Sequence, residues 1–279
     1  MLLTPRYDGP PVLSLTGSVG DPSVPLLRQR RRLGALLGTL DEAQWAAPSR
    51  CAGWSVRDVV AHLVTADQFW AYSVGQARAG APTRFLATFD PVATPAELVA
   101  GQGAPEPAAV LAAFVAGVEG FASALAGLDG PGWEAPAEAP PGHVPLHALA
   151  LHALWDAWIH ERDIALPLGL EPAEEPDEVA ACLRYAAGLG PAFLATCGSQ
   201  RTGTLVVEGT DPAACVVVEA GETVVVGDGP PPAGAVRLAG RSVDLVEALS
   251  LRAPFPHDVA EGDRWLLGGL ATVFDAAPG

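Results

Sequence analysis

The sequence has no lysine: all 16 of its basic residues are arginines, set against 32 acidic residues for a net charge of −16. That balance repels a phosphate backbone and an anionic bilayer surface, so neither nucleic acid nor membrane is an expected partner. Residues 1–21 lack a basic-then-apolar leader, and nowhere does the chain stay free of Gly, Pro and charge for the roughly eighteen apolar residues that a span needs. A cytoplasmic protein is expected. Cysteine is scarce: Cys51, Cys182, Cys197 and Cys215 lie far apart with no C-x-x-C pair. This argues against a disulfide or thiolate-metal framework and for free thiols in a reducing compartment, most of them small buried apolar residues. Only 17% of residues are charged and 49% are hydrophobic, which excludes a disordered chain. The 279 residues can bury a core in one large domain or two modest ones.

What is present reads first as helices. Pro25 opens a helix over 25–40 in which Leu26, Leu27, Leu33, Leu36, Leu37 and Leu40 recur at three and four. Arg28, Arg30, Arg31 and Arg32 on it read as a solvated basic face. Ser55 and Asp58 form a capping box and Trp54 a staple to Val59, so a second helix starts at 56 and runs to about 75. A Pro/Gly-rich loop over 78–107 precedes a helix over 107–128, with Val110, Phe114, Val118, Phe121 and Leu125 on one stripe. A second such loop, 130–145, leads to a fourth helix over 146–166, stopped by Pro167 and Gly169. Four helices joined in this way make a bundle, and the two long loops are expected walls of its pocket.

A fifth helix over 176–195 precedes a change of period. From Gly203 short β-branched runs at 204–208, 215–219, 223–226 and 235–238 are separated by turn residues, and 242–252 returns as a helix. The chain is therefore expected to be α+β: an extension over 1–24, a helical bundle over 25–170, and a linking helix with a small α+β domain over 171–279. The extension reads either as an arm over a pocket or neighbour, or as a frayed tail.

One helix carries chemistry. His152, Asp156 and His160 are spaced four apart, so at about 100° per residue they share a face about 80° wide, and Asp163 returns to it at about 20°. Leu149, Leu151, Leu154, Trp155, Trp158, Ile159 and Ile164 surround them, and a polar stripe buried among such residues is costly unless each group has a partner. The spacing alone leaves a solvated face, an internal hydrogen-bonded network and a metal site open. His62 on the second helix raises the third. Two imidazoles and a carboxylate from facing helices form a set that suits Zn²⁺ or a similar divalent ion with open positions.

The string Cys51-Ala52-Gly53-Trp54-Ser55-Val56-Arg57-Asp58-Val59-Val60-Ala61-His62-Leu63 resembles the amino-terminal motif of the mycothiol-dependent maleylpyruvate isomerase family, a branch of the DinB-like metal-binding bundles. Asp156-Ala157-Trp158-Ile159-His160-Glu161-Arg162-Asp163 resembles its second motif. The likeness spans about 25–169 and, more loosely, the carboxy-terminal part. It implies a DinB-like four-helix bundle whose metal ligands are His62, Asp156 and His160. The family usually has Glu where this chain has Asp156, so the shorter arm puts that ligand in doubt. His152, one turn earlier, is then a substitute ligand or a base. The family's second-domain arginine for an anionic substrate or thiol matches Arg252 by position, although a residue near a helix end also serves the helix dipole.

The resemblance implies a divalent metal, with Zn expected, and mycothiol as cofactor, for isomerisation of an alkene or for S-transfer. The expected function is thus a metal- and thiol-dependent isomerase or transferase acting on a small, anionic molecule, as monomer or homodimer. A thiol-independent metalloenzyme of secondary metabolism and a non-catalytic ligand-binding protein are the alternatives. A GC-rich, lysine-free composition suits an actinobacterial host, where mycothiol is made. With so few cations, the metal and Arg252 are left to meet an anionic substrate.

Overall fold

The computed structural model describes residues 4–17 and 20–274; residues 1–3 and 18–19 of the extension and 275–279 of the carboxy-terminal part lie outside the described residues. In chain order the elements are β1 (Leu13–Leu15), α1 (Ser23–Leu37), α2 (Glu42–Ala46), α3 (Val56–Arg78), α4 (Ala93–Gly101), α5 (Pro107–Leu125), α6 (Gly130–Trp133), β2 (Pro136–Ala139), β3 (Gly142–Pro145), α7 (Leu146–Ala165), α8 (Pro176–Thr196), β4 (Gly203–Thr210), β5 (Ala214–Ala220), β6 (Val224–Gly227), β7 (Val236–Arg241), α9 (Ser242–Leu249) and α10 (Trp265–Val273). The fold is α+β, as expected, with a four-helix bundle of α1, α3, α5 and α7 followed by a sheet part.

α3 starts where its capping box predicts. The Ser55 side chain accepts from the Asp58 amide and the Asp58 carboxylate accepts from the Ser55 amide, which satisfies two of the helix's orphan donors. α5 turns Val110, Phe114, Val118, Phe121 and Leu125 inward, as its period requires. α7, enclosed between α1, α3 and α8, has every residue buried except Asp156 and His160. In a helix so enclosed, these two polar side chains form its one window to solvent.

α8 packs against α7 on one side and the sheet on the other. Contact there is close enough to require glycine, since a methyl at Gly188 would press on Val226 and Leu13. The sheet has the order β1-β6-β5-β4-β7, with β1 parallel to β6, β4 parallel to β7, and the inner pairs antiparallel. α5 and α8 both reach the length and apolar content of a membrane span, and α8 is largely buried within the protein.

Several expectations change. The extension is no frayed tail over its described residues. Val12 and Leu13 are fully buried, β1 is an edge strand of the carboxy-terminal sheet, and Arg6 pairs with Gly142 at the β2–β3 hairpin. The loop over 78–107 contains α4, and the loop over 130–145 contains α6 and the hairpin. That hairpin is anchored by the buried Glu138 carboxylate, which accepts from Tyr7 Oη at 2.6 Å and the Leu86 amide at 2.7 Å. Its main chain meets Ser73, three turns or about 16 Å along α3 from His62. The hairpin is therefore no wall of the site described below.

The α1 arginines form a solvated face only in part: Arg31 is exposed and meets the exposed Glu119, whereas Arg28, Arg30 and Arg32 reach buried acids of other helices. Arg30 is fully buried and donates from Nε (2.9 Å) and Nη2 (2.7 Å) to Asp67 Oδ1, which is itself buried. Arg32 bridges Glu161 and the buried Glu178 at 2.8 and 2.7 Å, and Arg28 also pairs with Glu178. α1 is riveted to α3, α7 and α8 by charges whose partners lie far away in sequence.

Candidate metal centre

α3 and α7 pack side by side, and the window of α7 opens onto His62. His62 Nε2 lies 3.9 Å from Asp156 Oδ2, and His160 Nε2 lies 3.6 Å from Asp156 Oδ1. The two imidazoles meet edge to face at 5.1 Å. All three ligand atoms fall within 4.8 Å of one another. These separations are too long for hydrogen bonds. They suit donors around one ion, since ligands at about 2.1 Å in a tetrahedron stand about 3.4 Å apart.

Two further observations fit a divalent ion. Asp156 Oδ2 is buried with no hydrogen-bond partner, an arrangement that costs free energy unless a cation answers it. The side chains of His62, Asp156 and His160 retain 17%, 16% and 12% exposure, so the cluster can be reached from solvent. Burial raises the Asp156 pKa, but the adjacent His62 and His160 outweigh it and hold the carboxyl well below the usual range. The Glu-to-Asp departure thus leaves a carboxylate that still reaches both imidazoles.

Behind His160 stands a second layer of charge. His160 Nδ1 donates to Asp163 Oδ2 at 3.0 Å, leaving Nε2 directed at Asp156. Asp163 is fully buried and saturated: Arg50 Nε and Arg252 Nε donate to Oδ1 at 3.0 and 2.9 Å, and Arg252 Nη2 donates to Oδ2 at 2.9 Å. Cys51 Sγ adds a donor at 3.2 Å. Burial tends to raise the Asp163 pKa, but His160 and Arg252 hold it far down. For His160, burial alone lowers the pKa, yet the Asp163 hydrogen bond, the Cys51 contact and the Asp156 charge push it up to about 10. Cys51, His160 and Asp163 also lie within ligand distance of one another. A cation there would face the guanidiniums of Arg50 and Arg252, so the His62, Asp156, His160 group is the better cation site.

Arg252 reaches this cluster because of how α9 ends. The Arg252 amide donates to the Glu247 carbonyl at 2.8 Å and the Leu251 amide to the Ala248 carbonyl at 3.1 Å, the paired bonds of a Schellman cap. Leu251 takes the left-handed conformation, φ 60°, usually reserved for glycine. Arg50 joins the same end of α9 through Glu247 at 2.9 and 3.0 Å, and Arg162 meets Glu247 at 2.6 Å.

His152 sits apart from the ligand group, one turn up α7 in an aromatic cage of Trp70 (4.9 Å), Tyr185 (5.3 Å) and Trp155 (5.5 Å). Its Nδ1 is 2.7 Å from the Tyr185 hydroxyl. Burial presses its pKa down to about 4, against the pull of Asp156. Sequence reasoning missed Arg50 and the engagement of Cys51. Both lie in or beside the first motif string, but their partner Asp163 is more than a hundred residues away, and nothing local announces it. The loop over 78–107 does reach this end of the bundle: Gln102, just past α4, approaches the Ala61 carbonyl at 3.4 Å, next to His62.

Among curated proteins no sequence matches this chain. Two solved structures share its fold. The crystal structure of a mycothiol-dependent maleylpyruvate isomerase aligns with a TM-score of 0.58 at 15% identity, over 84% of this chain and 90% of that one. A histidine-to-alanine mutant of a mycothiol-dependent maleylpyruvate isomerase aligns at 0.59 and 16% identity over the same shares. A family model described as the mycothiol maleylpyruvate isomerase N-terminal domain matches residues 26–165, half of the chain, and holds all three candidate ligands. By that domain the chain belongs to the mycothiol maleylpyruvate isomerase family.

Proposed function

We propose that this protein is a metal- and thiol-dependent isomerase or S-transferase acting on a small anionic molecule, with Zn²⁺ or a similar ion held by His62, Asp156 and His160. The carrying observation is that the two solvent-reached residues of α7 converge with His62 at ligand spacing, one carboxylate oxygen being without a partner. When bound, a divalent ion supplies a Lewis acid that lowers the pKa of a coordinated thiol, and mycothiol supplies a nucleophile for reversible addition to an alkene or for displacement.

The chain's own residues set the stage for that chemistry. Three protein ligands leave coordination positions for small molecules, the pattern of a catalytic rather than a structural site. Trp54, 5.5 Å from the His62 ring, provides an apolar wall that limits water. Arg252 commits Nε and Nη2 to Asp163, while its Nη1 has only a long 3.5 Å contact with the Ser250 carbonyl, so that edge is the donor offered to a substrate carboxylate. His152, caged and uncharged at neutral pH, accepts a proton only from a strongly acidic group; its role is to line the deep end of the polar stripe.

The test is an assay of cis–trans isomerisation of maleylpyruvate with zinc-loaded protein, with and without mycothiol and with a chelator. Turnover that needs both the ion and the thiol is expected. Full activity without thiol would move the protein to thiol-independent metalloenzymes, and full activity under chelation would reject the metal.

A further inference from the structure

We propose that Arg252 of the carboxy-terminal part is a positioning residue for His160, acting through Asp163, so that the second half of the chain orients a metal ligand of the first. This rests on the metal reading of His160 given above. An imidazole bound to a metal through Nε2 is fixed in orientation by what its other nitrogen meets, and a carboxylate there is the common partner. Here that partner is Asp163, three residues along α7, at 3.0 Å.

A carboxylate with one neighbour could rotate; this one cannot. Arg252 binds it in the two-pronged manner, Nε to Oδ1 and Nη2 to Oδ2, both at 2.9 Å, which fixes its plane. Arg50 holds Oδ1 alone, by a single bond at 3.0 Å. Arg252 Nη2 also approaches Cys51 Sγ at 3.7 Å, and that sulfur lies 3.6 Å from His160 Nδ1, so guanidinium, carboxylate, thiol and imidazole close a ring behind the ligand. Asp163 has no exposure, so the ring works without competition from water.

The route into this arrangement is specific to the fold. Arg252 lies directly after the left-handed Leu251, where the chain leaves α9, and the same helix end is tied to Arg50 and Arg162 by Glu247. Trp155 of α7 donates to Ser250 Oγ at 2.8 Å, two residues before Arg252. The turn that presents Arg252 is thus pinned to the helix that carries His160. A guanidinium used only to greet a substrate needs no such double grip on a buried carboxylate.

The test compares wild type with Arg252→Met, Arg252→Lys and Asp163→Asn. It uses two readouts: the hydrogen-exchange rate of the His160 Nδ1 proton by NMR, and zinc affinity by competition with a chromophoric chelator. The slowly exchanging ring proton of wild type is expected to exchange at least tenfold faster in Arg252→Met and Asp163→Asn, with Arg252→Lys, one prong short, in between. Zinc affinity is expected to fall in the same order, by about 10- to 100-fold for Asp163→Asn. Ring protection and zinc affinity unchanged in Arg252→Met, with only KM for the substrate raised, would overturn the proposal and leave Arg252 as a substrate anchor. Should Arg252→Met fail to fold, the Lys variant decides by the same two readouts. A wild type that takes up no zinc refutes the metal reading, while the ring proton, measured without zinc, still decides whether Arg252 acts on His160.

Discussion

His152 shows how burial changes what a residue can do. It shares a helix face with Asp156 and His160, yet Trp70, Trp155 and Tyr185 enclose it, and its pKa is pressed from 6.5 to about 4. The unfolded chain binds a proton at this residue below 6.5 and the folded one only below about 4. Stability from a neutral His152 is therefore complete above 6.5 and lost as pH falls from 6.5 towards 4, by roughly 3 kcal/mol at most. Urea denaturation at pH 7 and pH 4.5 is expected to show this loss in wild type and a smaller one in His152→Gln. Equal losses in the two proteins would mean that His152 titrates normally. His160 has the opposite sign: its pKa is raised to about 10, so its contribution is present below 6.5 and fades as pH rises through 10. Spacing put both histidines on one face, and only the tertiary surroundings separate them. Arg30 makes the same point, since an arginine among arginines on α1 reads as solvated until Asp67 is found beside it.

At the scale of elements, periodicity made the long helices legible. Capping fixed the start of α3, proline the start of α5, and the four strands from Gly203 onward fall where β-branched runs stand between turns. What escaped is short or depends on distant partners. β1 is three residues whose reason to be a strand is the exposed edge of β6, and β2 and β3 lie in a Pro-rich stretch held by Glu138. α10 is apolar and carries glycines, a composition that gives no helical period, and it exists to cover α8. The crossing of α8 and α10 is made at Gly190 and Gly269, where a methyl on Gly269 would overlap the Gly190 carbonyl. Gly269→Ala must push the helices apart and is expected to cost about 2 kcal/mol, read as a lower urea midpoint. An unchanged midpoint would show that the helices do not meet there.

The whole molecule joins two parts that each hold what the other lacks. The bundle carries the candidate ligands, and the carboxy-terminal part sends Arg252 and Glu247 to the residues behind them. In return, the amino-terminal extension crosses to complete the sheet. The candidate ligands could be picked out in the sequence because each motif is local, His62 within one string and Asp156 with His160 one turn apart within another, and the fold brings the two strings together. The charge network around Asp163 could not, because Arg50, Asp163, Glu247 and Arg252 come from three separated regions. The large negative charge also has a clearer meaning: among the described residues most arginines are spent on internal carboxylates, as with Arg28, Arg30, Arg32, Arg50 and Arg162. Under the proposed function, an anionic substrate would therefore depend on the cation held by His62, Asp156 and His160 together with Arg252. The most direct test is the metal content of purified, zinc-equilibrated protein by elemental analysis. One divalent ion per chain is predicted for wild type and none for folded His62→Ala or His160→Ala; a wild type without an ion, or alanine variants that keep it, would contradict the account.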